Sequence, residues 1–253
     1  MHPVRHFRCI TICRNLIDRS RNVHILDNPI WLSLTTRQAH LAEGDDLARR
    51  YPPEVTALAA VKDHGAAAFA ALARITQGDV AALFCYEPVS IPSDWKTIHT
   101  SNLVQMVCEP PHPESDSGMA IAELSAADSS EMVALTKLTN PGPFGTRTQE
   151  LGLYLGIHQQ GRLAAMAGER QKLPGYTEVS AVCTHPDFQG RGYARILISA
   201  VLQKIMERGE IPFLHVREDN VGAIRVYEKL GFKTRAIFPF FILRHEQGKA
   251  QAK

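Results

Sequence analysis

Nothing in these 253 residues stays hydrophobic long enough to cross a bilayer. A span needs roughly 18 apolar residues; the longest apolar-rich stretch, AAAFAALARI at 66–75, is short and Ala-dominated, and reads as a helix of a soluble protein. No membrane association is expected. Cysteine is sparse and scattered, at 9, 13, 85, 108 and 183 with no C-x-x-C pair. That pattern argues against a disulfide framework and a zinc site, so reduced thiols, a cytoplasmic location and no metal are expected. Charge of one sign is also lacking: 28 Lys+Arg against 26 Asp+Glu leave +2. Bulk attraction to nucleic acid is therefore not expected, and any anionic partner must be met locally.

At 45% hydrophobic and 21% charged, the composition is that of a globular protein, and its length suggests two domains. Residues 1–24 hold five arginines and one acid without the continuous apolar stretch of a secretory signal, and read as a basic extension. CEPPHPESDSG, 108–118, breaks the hydrophobic pattern and reads as a linker between a mixed α/β domain at 25–107 and a second domain at 119–253.

In the first half, LARRYPPEVTALAAVKD and GAAAFAALARIT read as helical, VAALFCYEP and IHTSNLVQMVC as strands. In the second, AIAELS reads as a strand, AADSSEMVALTKLT as a helix and NPGPFG as a loop, before three strands, LYLGIHQQ, RLAAMAGER and TEVSAVCTH, that form a meander. The period then changes to three and four: Ala194, Leu197, Ile198, Val201 and Ile205 mark an amphipathic helix that Gly209 can stop. PFLHVRE reads as a strand, Asn220 as the cap of helix VGAIRVYEKL, Gly231 as its left-handed end and FKTRAIFPFFIL as a last strand.

The turn QGRGYA, 189–194, joins the meander to the amphipathic helix. The N–H groups of a first helical turn have no partner within the helix, and the dipole adds roughly half a positive charge there, so such a turn can hold an anion. Gly190 and Gly192 let the backbone approach a ligand; Arg191 and Arg195 can add charge. Pyrophosphate fits that chemistry. The turn lacks both the third glycine of G-x-G-x-x-G and the Lys-Ser/Thr of a P-loop.

HPDFQGRGYARIL resembles motif A of the GNAT superfamily of N-acetyltransferases, with Gln189, Gly192 and Ala194 matching Q/R-x-x-G-x-G/A. Asn220, Ala223, Tyr227, Gly231 and Phe232 match the N-x-x-A-x-x-x-Y-x-x-x-G-F that follows in that family. The resemblance implies a mixed α+β fold, a central and mostly antiparallel sheet flanked by helices, here behind a smaller mixed α/β half. It implies acetyl-CoA as acyl donor, its pyrophosphate on the backbone of Gly190, Arg191, Gly192, Tyr193, Ala194 and Arg195. The pantetheine arm would pair like an added strand with Val182, Cys183 and Thr184, and Asn220 would also touch the arm.

The resemblance further implies roles in transfer. Glu178, eleven positions before Gln189, stands where histone-acetylating members carry a general base; an ordinary solvent-facing Glu is the plain alternative, and Glu169 is a lesser candidate. Tyr227 resembles the family's general acid, though its spacing also suits a core aromatic. Cys183 reads as a small buried hydrophobe rather than an acyl carrier, His215 as a structural or substrate-facing imidazole, and 140–145 as a lid over the acceptor. The expected activity is direct transfer of acetyl to an amine: a small amino acid, another small molecule or a peptide amine. A GNAT domain behind a degenerate half resembles the layout of glycine N-acyltransferases. A non-catalytic acyl-CoA-binding module is the alternative, and FKTRAIFPFFIL is a candidate homodimer surface.

Overall fold

The computed structural model describes residues 24–108 and 118–246; the basic extension except His24, the interior of the expected linker and 247–253 lie outside the described residues. In chain order come α1 (Pro29–Thr35), β1 (Glu43–Gly44), β2 (Ala48–Arg50), β3 (Ala59–Val61), α2 (Ala66–Thr76), β4 (Val80–Phe84) and β5 (Trp95–Cys108). There follow β6 (Ala122–Leu124), α3 (Ser129–Thr139), β7 (Tyr154–Gln159), β8 (Arg162–Leu173), β9 (Tyr176–Thr184), α4 (Tyr193–Glu207), β10 (Ile211–Arg217), α5 (Val221–Lys229) and β11 (Phe232–His245). No helix among the described residues is long and apolar enough to cross a membrane.

Eight strands form one sheet in the order β4-β11-β5-β10-β9-β8-β7-β6, and β1, β2 and β3 form a small second one. Every neighbouring pair in the large sheet is antiparallel except β9 and β10. The mixed, mostly antiparallel architecture is the expected one. The sheet nevertheless runs across the sequence boundary at 108–118: β5, from the first half, lies between β10 and β11 from the second. Leu103, Val104, Met106 and Cys108 of β5 are buried there, which joins the halves through one core.

Two local readings change. LARRYPPEVTALAAVKD, expected as helix, holds β2 and β3 instead. Pro52 and Pro53 explain it, since each disfavours helical backbone in the residue before it and neither can donate an N–H. α1 went unread, although Asn28 accepts from the Trp31 N–H and Pro29 opens the first turn. The apolar run of β11 serves the fold: β11 is paired along both edges, and Phe238, Phe240 and Leu243 are buried.

α4 covers the sheet with Leu197, Ile198, Val201, Leu202 and Ile205, joined in one cluster by Tyr227, Leu230 and Phe232 from α5 and its exit. Burial of each such side chain contributes about 1.5–3 kcal/mol, which fixes the helix against β8 and β9. Gly209 and Gly231 have positive φ and end the two helices, as expected.

Candidate active site

The site begins where two strands part. β9 and β10 pair only at Ile211↔Tyr176, Pro212↔Thr177 and Phe213↔Glu178. β10 goes on pairing with β5 as far as Arg217↔Leu103, while in the rest of β9 Cys183 and Thr184 pair only with β8 and Val182 lies in the register slip beside them. The register of β8 and β9 slips between Met166↔Cys183 and Gly168↔Ser180, and Ala181 takes φ 52 within that slip. A bulge of this kind bends the strand and re-aims its backbone. The result is an open strand edge facing the gap beside β10.

The chain then turns into α4. His185 accepts from the Asp187 N–H and Pro186 opens a short 3-10 turn at Pro186–Phe188. Gly190 and Gly192 follow with φ 75 and 79. Gly192 caps α4 without any side-chain hydrogen bond, and the first helical bond runs from the Ile196 N–H to the Gly192 carbonyl at 3.1 Å. The N–H groups of Tyr193 and Ala194 precede that bond and have no carbonyl of the helix to meet. Gln189, Gly190, Arg191, Gly192 and Arg195 are exposed, Ala194 is half-buried and the Tyr193 ring is buried. The Arg191 and Arg162 guanidiniums lie 5.1 and 5.2 Å from the Phe188 ring centroid, and Arg162 pairs with Asp187 at 3.2 Å. The turn is thus braced beneath and open above, with positive charge at its rim.

Asn220 caps α5 by accepting from the Ala223 N–H at 3.2 Å and is exposed. Tyr227, in the last turn of α5, is buried with its ring against Phe232 at 5.9 Å. Burial, reinforced by the nearby Cys183, pushes its hydroxyl up to about 12. It is a neutral phenol at physiological pH. Burial likewise pushes the Cys183 thiol up to about 11, so no thiolate is available there to carry an acyl group.

Glu178 is placed differently from the sequence reading. Its side chain is 0% exposed, and both carboxylate oxygens are held: the Arg170 Nε donates to one at 2.8 Å and Nη2 to the other at 2.6 Å. His215 Nδ1 lies 2.7 Å from the second. Burial alone would raise the carboxyl pKa, but Arg170 and then His215 outweigh it and hold the group at about 2. Both carboxylate oxygens are thus occupied, and the geometry makes Glu178 the anchor of Arg170. Glu169 is no freer, being buried against Arg208 at 2.6 Å and Lys172 at 2.8 Å.

His215 continues the chain of contacts inward. A carboxylate only accepts, so Nδ1 carries the proton and Nε2 accepts from the Gln105 amide at 3.0 Å. Gln105 also donates to the Leu26 carbonyl at 2.9 Å and accepts from Arg235 at 2.6 Å, and Arg235 pairs with Asp27. Burial lowers the His215 pKa first, with the charges of Arg170 and Arg235 adding to it against the pull of Glu178. The imidazole is a neutral structural link between the two halves.

On the other side of the bulge lies a narrow cleft. Pro141, Gly142, Pro143 and Phe144 of the loop after α3 form one wall; Thr148, Tyr154, Arg170, Ser180 and Ala181 form the rest. The first half supports this wall. The Arg147 N–H donates to the Glu54 carbonyl at 2.8 Å, the Thr148 hydroxyl to the Val55 carbonyl at 2.5 Å, and a side chain at Gly145 would run into the Glu54 carbonyl. Buried Gln38 donates to the carbonyls of Arg170 and Leu151 at 2.8 and 3.1 Å. Arg170 and Tyr154 had no signal in sequence, since neither belongs to a motif.

Residues 154–238 match the profile of the FR47-like protein family. An acetyltransferase of Yersinia enterocolitica is 51% identical over 53 residues, which make up 20% of this chain and 37% of that protein; the match thus spans about a third of the length of such curated relatives. A GNAT-family protein of Novosphingobium aromaticivorans is 38% identical, with 89% of this chain and 100% of that one covered and a TM-score of 0.83. A GCN5-related N-acetyltransferase of Kribbella flavida, 17% identical with a TM-score of 0.59 over 89% of this chain and 98% of that one, shares the fold. With the splayed strands, the glycine turn and this full-length likeness together, the chain belongs to the GNAT family of acetyltransferases.

Proposed function

We propose that this protein transfers the acetyl group of acetyl-CoA directly to an amine. The observation that carries the reading is the parting of β9 from β10 beside the glycine turn: an unpaired strand edge for a pantetheine arm ends at a helix start suited to a pyrophosphate. In this reading the backbone of 190–195 holds the pyrophosphate, Val182, Cys183 and Thr184 pair with the arm, and Asn220 contacts it from α5. The thioester then lies by the bulge at Ala181, between the CoA channel and the cleft.

The amine enters from the cleft and its nitrogen attacks the thioester carbonyl carbon. The tetrahedral intermediate loses its extra N–H proton to solvent and collapses with loss of the C–S bond; Tyr227 gives its proton to the departing thiolate and regains one from solvent. An alkylamine with a pKa of about 10.4 is mostly protonated at neutral pH. With Glu178 bound to Arg170 and His215, the amine gives up its proton to solvent.

The test is isothermal titration with acetyl-CoA and with CoA, followed by a free-thiol assay over amine acceptors. Micromolar binding and thiol release that depends on acceptor support the proposal. Binding without turnover would leave an acyl-CoA-binding module, and no binding by a folded protein would overturn the reading.

A further inference from the structure

Tyr154 is buried at 1% exposure, and its hydroxyl has no hydrogen-bond partner among the described residues. A buried hydroxyl without a partner loses its hydration and gains nothing in return, so its retention calls for an explanation. Its position is built with care. Tyr154 faces Gly168 across β7 and β8, where a Cβ would come within 2.4 Å of the ring, and the Phe144 ring meets it edge-on at 5.9 Å. The hydroxyl is therefore held in place by a glycine across the strand and by the loop above.

Arg170 supplies the second half of the observation. Its Nε and Nη2 are taken by Glu178, whereas Nη1 makes no hydrogen bond with the described residues. Arg170 and Tyr154 line the same cleft as Ala181 of the bulge, and no Asp or Glu lines it. Burial pushes the Tyr154 hydroxyl pKa up; the charge of Arg170 is close enough to pull against it, while Glu178 and Glu169, which do not line the cleft, add to the upward push. A cleft that offers donors and no acidic side chain is suited to an anion and gives nothing to a polycationic amine.

We propose that this cleft binds the carboxylate of a small α-amino acid, through Arg170 Nη1 and the Tyr154 hydroxyl, and so presents the α-amine to the thioester. The cleft has room for the centre of little more than one water, about 10 Å³. Such a short cleft favours an amine one carbon from its carboxylate over a long ω-amine. On this proposal the 141–144 loop must move outward to admit the rest of the amino acid, and Ser180, half-buried on the same wall, lies beside the amine. The inference rests on the acetyltransferase reading, which supplies the thioester.

The experiment compares glycine, alanine and serine with glycinamide, alaninamide and methylamine in the free-thiol assay, using wild type and Tyr154→Phe. Acetyl-CoA affinity is titrated in the same preparations. The expected result is a kcat/KM at least tenfold higher for the free amino acids than for their amides, and a KM for the amino acid raised about tenfold in Tyr154→Phe. The acetyl-CoA affinity of the variant should match wild type. Because the hydroxyl has no protein partner, the variant keeps its fold; a melting temperature confirms it. Amides or methylamine turned over as well as amino acids, an unchanged KM in the variant, or acetyl-CoA binding with no turnover of any amino acid would each overturn the proposal. Loss of acetyl-CoA binding in wild type would instead sink the acetyltransferase reading beneath it.

Discussion

Arg170 and Glu178 face each other on adjacent strands through two parallel N–H···O bonds of 2.8 and 2.6 Å, at the junction of the cleft and the interior. Removing one partner of a buried ion pair leaves the other charge uncompensated, at a cost of about 3–5 kcal/mol. Glu178→Gln is therefore expected to lower the melting temperature by roughly 10 °C, at about 2–4 °C per kcal/mol for a chain of this size, and to raise the acceptor KM. A fall in kcat with an unchanged melting temperature would make Glu178 the base that its place in the sequence suggests.

Acid should unfold the protein through the same group and its neighbour. His215 is kept neutral, with its pKa below the ordinary 6.5. The unfolded chain therefore binds a proton that the native one refuses, and stability falls as pH drops below about 6.5. Glu178 is held at about 2 against an ordinary 4.5; its contribution is complete above about 4.5 and is lost as pH falls towards 2. Thermal melts from pH 8 to 3 should decline across that range. His215→Gln should flatten the decline above pH 5 and leave the lower part.

Activity should respond to pH differently from stability. With no free carboxylate at the cleft, log kcat/KM should rise with unit slope and level off at the pKa of the acceptor's own amine. Changing to a less basic acceptor should move the break to lower pH. A break near pH 4–6 that ignores the acceptor would point to an enzyme carboxyl instead.

Gly192 has φ 79 at the cap of α4, and a Cβ there would meet nothing within 4 Å. Gly192→Glu should weaken acetyl-CoA binding by tenfold or more through repulsion of the pyrophosphate. Gly192→Ala carries the same backbone strain without the charge and should weaken it less. Equal losses in the two variants, read by titration, would remove the electrostatic argument.

Tyr227→Phe should keep the fold, because the ring packing on Phe232 is retained. Loss of the leaving-group proton should lower kcat by about 10²-fold with little change in the KM for acetyl-CoA. A kcat within twofold of wild type would leave Tyr227 as a core aromatic.

Much of the second half was legible because its signals are local. The spacing of Ala194, Leu197, Ile198, Val201 and Ile205 declares α4, Asn220 and Gly231 bracket α5, and Gly190 and Gly192 mark the turn between strand and helix. The first half was less so. Tyr51-Pro52-Pro53 sits in a stretch whose apolar residues mimic a helical period, and its two prolines forbid that helix. The seam at 108–118 is a break in composition, yet β5 finds its partners in β10 and β11, more than 100 residues on.

By itself the sequence determined the elements of the acetyltransferase half, the family they belong to and the glycine turn at the start of α4, because helical period, caps and glycine turns act within a few residues of chain. Only the tertiary structure decided the state of Glu178, since burial beside Arg170 and His215 sets its charge and neither neighbour is readable from spacing. The same holds for the cleft: Tyr154, Arg170 and the 141–144 loop come from separate segments and meet because the sheet register and the first half's contacts at Gln38, Glu54 and Val55 bring them together.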